Sequence, residues 1–143
     1  MRPLAAIEAE LDALALAPEQ LLAVSEEILE NWITARGQVP TTAVSEGFRL
    51  LALQRQGARG VPSFNACRES CREIAYHFNL LRTQPAHGEA AKRRRMMALL
   101  VKHLVLFVRG KLEVEGLGEF CCSSRPLRVE SSVEKRTEGP YDG

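Results

Sequence analysis

The sequence predicts an all-α protein, a compact bundle of four to five antiparallel amphipathic helices followed by a disordered C-terminal tail. Three observations predict it. Apolar residues recur at spacings of three and four along most of the chain, which is the helical period. No stretch alternates β-branched and polar residues with the period of a strand. Prolines and glycines divide the pattern into segments joined by a few residues, and short connections between long helices lay them antiparallel. At 143 residues, 45% hydrophobic and 26% charged, the chain is the size of one globular domain with one core. Residues 1–120 are assigned to the bundle and 121–143 to a flexible polar tail.

The first helix is expected over about 3–16, where Leu4, Ile7, Leu11 and Leu14 repeat at three and four. The second opens at Pro18, since proline suits the first helical position, and stops before Gly37, a residue suited to a left-handed cap. At about 100° per residue its Leu21, Val24, Ile28, Leu29 and Trp32 gather on one side and Glu19, Glu26, Glu27 and Glu30 on the other. The third is expected to open at Pro40 and Thr41, to carry Val44, Phe48 and Leu51 on one face, and to end in the glycine-rich run 56–63. Gly47 weakens that pattern. Ser63 is the expected N-cap of the fourth, which runs to about Arg82 before Pro85 and aligns Phe64, Cys67, Cys71, Ile74, Ala75, Phe78 and Leu81. The fifth is expected from Gly88 to Arg109, with Gly110 able to end it. Beyond Phe120 the chain is rich in Ser, Arg and Glu, with little to bury.

The net charge of +1 conceals three blocks. Residues 1–30 carry seven acids against Arg2, a balance of −6; residues 31–111 carry fourteen bases against four acids, a balance of +10; residues 112–143 return to −3. Fifteen of the nineteen bases are arginine, the side chain suited to bidentate pairing with carboxylate or phosphate. Two destinations compete for this charge. The favoured one sets the acidic N-terminal helices against the basic middle, or leaves the charges in water; the other is an external anion.

The cluster Lys92, Arg93, Arg94, Arg95 is the most pointed part of the basic block. Cations at a helix start oppose the helix dipole, so they call for an anionic counterpart. Lys92, Arg95, Lys102 and Arg109 fall on one stripe of the fifth helix, whereas Arg93 and Arg94 point toward the face that becomes core one turn later. The first turn must therefore project past the bundle or meet internal carboxylates. A second candidate anion site is the loop around Arg59 with Arg68 and Arg72 on the next helix. It lacks the lysine of a phosphate-binding P-loop, since Val61 and Pro62 follow Gly60.

Cys67 and Cys71 stand four apart, close enough to share a metal with Cys121 and Cys122, yet both lie in an apolar stripe where cysteine serves as a small buried hydrophobe. No metal and no cofactor are expected. His77, His87 and His103 belong to no catalytic or metal motif, and no nucleophile elbow or dinucleotide fingerprint is present, so an enzyme is not expected. The absence of a signal-like start and of an apolar run long enough for a bilayer points to the cytoplasm. The leading expectation is a non-catalytic, adaptor-like regulatory protein that uses a charged helical surface, comprising Lys92, Arg93, Arg94, Arg95, Arg59, Arg68, Arg72 and Lys102, on a protein partner or on its own copy. A nucleic-acid binder contacting phosphates through the same residues is the first alternative, and a cysteine-based metal or redox protein the second.

Overall fold

Five α-helices, α1 (Leu4–Ala13), α2 (Pro18–Ala35), α3 (Arg49–Ala58), α4 (Arg68–Thr83) and α5 (Ala90–Val114), with a 3₁₀ segment Pro62–Cys67 before α4, form the regular structure of the computed structural model, which describes residues 1–117. The all-α class is as expected. The tail assigned to 121–143 lies outside the described residues.

The axis of the bundle is α5, which packs on α1, α2, α4 and the 3₁₀ segment. Its inward side chains, Met97, Val101, Leu104, Val105, Val108 and Leu112, recur at threes and fours, and all are buried. Each such side chain taken from water contributes about 1.5–3 kcal/mol. Contacts between termini give the directions. Lys102 meets Asp12 and Arg109 meets Glu8, so α1 runs against α5. Arg93 meets Gln84, while Lys111 meets Ser63 at the far end, so α4 with its 3₁₀ lead-in also runs against α5.

At the centre, four segments meet on two rings. Trp32 of α2 stacks on Phe64 of the 3₁₀ segment at 4.7 Å between centroids and 7° between planes, and Phe64 leans on Phe107 of α5 at 5.6 Å. The indole N–H donates to the carbonyl of Gly57 in α3 at 2.9 Å, satisfying a polar group that would otherwise be buried without a partner. Only glycine fits here. A Cβ on Gly57 would sit 2.8 Å from Phe64 Cε2 and 2.9 Å from Trp32 Cδ1.

Three expectations are corrected. Pro40–Phe48 is not helical, and α3 begins only at Arg49. Ser45 and Phe48 instead exchange both backbone hydrogen bonds, at 3.0 and 2.9 Å, around Glu46 and Gly47, whose φ values are +53° and +86°. Two successive residues with positive φ make a primed turn rather than a helix. Gln56 pins the approach to this turn by accepting from Thr41 N–H and donating to the Val39 carbonyl, both at 2.8 Å. The apolar spacing of Val44, Phe48 and Leu51 was therefore coincidental, and Val44 is exposed. Ser63 does not cap α4; it lies within the 3₁₀ segment, and its hydroxyl accepts from Lys111 Nζ at 2.7 Å. Gly110 does not end α5. Burial of Leu112 carries the helix on to Val114, where Gly116 at φ +70° closes it with bonds from Gly116 N–H to Glu113 and from Leu117 N–H to Leu112. Gly37 closes α2 in the same manner, as expected.

Gly57→Ala is expected to lower stability by about 1–3 kcal/mol through overpacking of the stacked rings, read as a fall in the midpoint of urea unfolding; an unchanged midpoint would show that the rings are not so tightly seated. A second prediction concerns pH. Arg2 grips Glu27 through its guanidinium and its backbone N–H, each at 2.8 Å, and this hydrogen bonding holds the Glu27 carboxyl below its ordinary value of 4.5. A depressed folded-state value means the contact stabilises in full above that ordinary value and is lost as pH falls through the folded one. Glu27→Gln is therefore expected to unfold with a shallower acid dependence below about pH 4.5, measured by circular dichroism against pH.

Candidate functional site

Internal pairing absorbs much of the acidic N-terminus. Arg2 takes Glu10 and Glu27, Arg49 takes Glu26 and Glu30, Lys102 takes Asp12, and Arg109 takes Glu8. The acidic helices thus lie against part of the basic middle. Lys102, expected to face an external anion, is engaged within the fold. Lys92 reaches only Glu89, at 3.8 Å.

Arg36 meets Glu115, Lys111 is buried against Ser63, and Arg82 lies apart beside Phe78; the other cations form two groups. At the start of α5, Arg93, Arg94 and Arg95 make no ion pair among the described residues, and Arg93 donates only to the neutral amide of Gln84 at 2.9 Å. Met97 is the first buried residue of the helix. In the first turn only Ala90 packs against the core, and none of the carboxylates of α1 or α2 reaches it.

The second group surrounds a cleft of about 550 Å³ between the end of α3 and the start of α4. Arg55 and Arg59 line it from the α3 side and Arg68 and Arg72 from α4, with Ser45 and Glu46 at its rim. Arg72 clasps the Glu46 carboxylate with two bonds, Nη1–Oε2 and Nη2–Oε1, each 3.2 Å. That pairing, helped by the nearby charges of Arg68 and Arg55, holds the Glu46 carboxyl below its ordinary value. Four arginines thus line the cleft, where Glu46 holds Arg72 and Glu69 lies close enough to act on the same guanidinium. Gln54 lines the same cleft and is only 2% exposed. Its Nε2 makes long contacts, 3.4 Å to both the Phe64 carbonyl and Asn65 Oδ1 and 4.0 Å to Cys67 Sγ, and its Oε1 accepts no hydrogen bond among the described residues.

The structure therefore unites Arg59, Arg68 and Arg72 and keeps Lys92 to Arg95 apart from them, on another part of the surface. Sequence reasoning missed Arg55, Gln54 and Glu46. Arg55 lies in the last turn of α3 and Arg59 just past its end, a nearness in sequence that was legible; the return of Glu46 across the cleft depends on the turn and was not.

Chemically, the arginines offer hydrogen-bond donors and positive charge. Cys67 and Cys71 are buried in the core; the Cys71 thiol donates to Cys67, which with burial pushes Cys71 well above its ordinary range and holds Cys67 below it, and burial in the core keeps both from the exposed setting of a reactive thiol. Cys121 and Cys122 lie outside the described residues. Among those described, no group of three His, Cys, Asp or Glu residues is placed to hold a metal ion, and no helix is long and apolar enough to cross a membrane.

Reversing Arg93 and Arg94 together to Glu is expected to shift unfolding free energy by no more than about 0.5 kcal/mol, because no internal carboxylate depends on them. Arg49→Ala, which strands Glu26 and Glu30, is expected to cost about 1–3 kcal/mol; equal losses in the two variants, measured by chemical denaturation, would contradict this division of the charges.

Comparison with protein-family models, with curated proteins and with solved structures finds no match.

Proposed function

We propose that the chain is a small non-catalytic, adaptor-like binding protein that engages a protein partner through the outward face of α5. One observation carries this reading. Met96, Leu99, Leu106 and Val114 are 42%, 48%, 44% and 47% exposed, and at about 100° per residue they form a single stripe with His103 and Gly110 on the side opposite the buried one. The unpaired, exposed Arg95 stands at one end of this stripe and the exposed Glu113 at the other, whereas Arg93 and Arg94 share that turn but point to the opposite side of the helix. Leucine and methionine gain little from phosphates but much from another apolar helix face. The partner that fits is an amphipathic helix with acids toward one end. A second copy of α5 in antiparallel arrangement meets that description, since Arg95 and Glu113 are equidistant from residue 104.

A nucleic-acid reading is favoured by a different feature. Arg68, Arg72 and the exposed Tyr76 follow one another at single-turn spacing along α4, a cation–aromatic row of the sort on which bases stack.

The test of the leading reading uses two surface variants, Leu99→Glu with Leu106→Glu, and Arg95→Glu. Sedimentation velocity of the full chain at roughly 100 µM reports self-association at the weak affinities expected of one helix face, and affinity capture from the native cell reports other partners. Both variants are expected to keep full helicity and to lose the dimer or the captured protein that the unaltered chain shows. Retention of the same partner by both would exclude the α5 face.

A further inference from the structure

We infer that the arginine cleft between α3 and α4 binds a phosphate-bearing small molecule, and that Glu46 occupies the phosphate position in the free chain. The inference stands apart from the α5 reading, since it concerns another face and succeeds or fails without it.

Three independent features of the cleft support it. The first is donor geometry. Arg55, Arg59, Arg68 and Arg72 converge from two helices on a volume of about 550 Å³, within the ordinary range for small-molecule pockets, and their planar guanidinium groups suit the forked oxygens of phosphate. The second is what already sits there. Both oxygens of Glu46 lie on Arg72 at 3.2 Å, the two-point contact a phosphate would make, yet the Glu46 side chain is 59% exposed. The clasp is shallow and open to competition from a group of higher charge. The third is the buried amide of Gln54 on the cleft wall, whose oxygen accepts nothing among the described residues. Buried polar atoms are nearly always satisfied.

The turn that delivers Glu46 fits the role of a removable plug. Glu46 holds φ +53°, a left-handed conformation uncommon for a residue other than glycine, asparagine or aspartate, and such strain concentrates at functional positions. The turn is anchored by Phe48, which meets Phe78 edge to face at 5.9 Å, and on the cleft side only by a long, 3.4 Å contact from Arg55 to the Ser45 hydroxyl. Glu46 can therefore swing off Arg72 without disturbing the core.

The experiment is calorimetric titration of the full chain with inorganic pyrophosphate, and separately with a mixed-sequence single-stranded oligonucleotide. The variants are Glu46→Gln, Arg68→Glu, and Glu73→Gln as a control that makes the same change in net charge on α4 without touching the clasp. The inference predicts saturable 1:1 binding of pyrophosphate, tightened about tenfold in Glu46→Gln, abolished in Arg68→Glu, and unaltered in Glu73→Gln. Circular dichroism establishes that each variant is folded. Equal tightening in both Gln variants would reduce the effect to net charge and overturn the plug. Absence of saturable pyrophosphate binding to both the unaltered chain and Glu46→Gln would overturn the site. Binding of the oligonucleotide alone, weakening steeply with salt, would assign the arginines to a polymeric phosphate backbone instead.

Discussion

The close approach of Trp32, Gly57 and Phe64 is the constraint on which the other features of the fold depend. Gly57 lets α3 come within contact of the stacked rings, and the bond from the indole to its carbonyl fixes the depth at which α3 sits. That depth sets where α3 ends, and hence where Arg59 and the short connection to the 3₁₀ segment emerge. Phe64 in turn places the start of α4 against α5. The arginine cleft is the surface consequence of this buried joint, because its two walls are the helices that the joint holds together. Lys111 completes the arrangement from below: it is 6% exposed, donates to Ser63, and stands 5.9 Å from the Trp32 ring, an ammonium stabilised by a hydroxyl and an aromatic face in place of a carboxylate.

Charge is distributed with the same economy of contact. The acids of α1 and α2 stitch those helices to α3 and α5 through Arg49, Lys102 and Arg109, and bind the N-terminal residues through Arg2. Most of these pairs are partly exposed and each is worth little alone; their combined effect is to fix register. What they leave unmatched is not scattered. Arg82 apart, it collects at the first turn of α5 and around the cleft, where arginine rather than lysine is present at all but one of the positions, and where directional donors matter more than bulk charge.

Much of the fold was legible in the sequence because amphipathic period and burial coincide in α2, α4 and α5. Ile28, Leu29, Cys71 and Ile74 all lie on the faces the pattern assigned them and are buried. Gly37 was legible for a local reason, since a left-handed cap needs few neighbours to specify it. The failures are tertiary. Val44, Phe48 and Leu51 carry helical spacing, yet the preference of Glu46–Gly47 for a tight turn, with Gln56 holding the approach, overrode three apolar residues. Gly110 is neutral inside a helix whose far end is anchored by Leu112, so its propensity did not decide the boundary. Ser63 found a better donor in Lys111 than in its own helix. Of the site, the grouping of Arg59, Arg68 and Arg72 was visible as proximity in sequence, whereas the engagement of Lys102 by Asp12 spans nearly the whole described chain and has no local signature.

The central claim is that the fold divides its arginines into a structural set and a set held in reserve. Arginine side-chain ¹⁵Nε–¹H spectra of the full chain, with hydrogen exchange and relaxation read at each guanidinium, test this directly. Slow exchange and restricted motion at Arg2 and Arg49, with fast exchange and high mobility at Arg59, Arg93, Arg94 and Arg95, is the predicted result. Uniformly restricted guanidinium groups, with Arg93 to Arg95 as protected as Arg49, would contradict it, because the charges assigned to external partners would then already be matched within the chain.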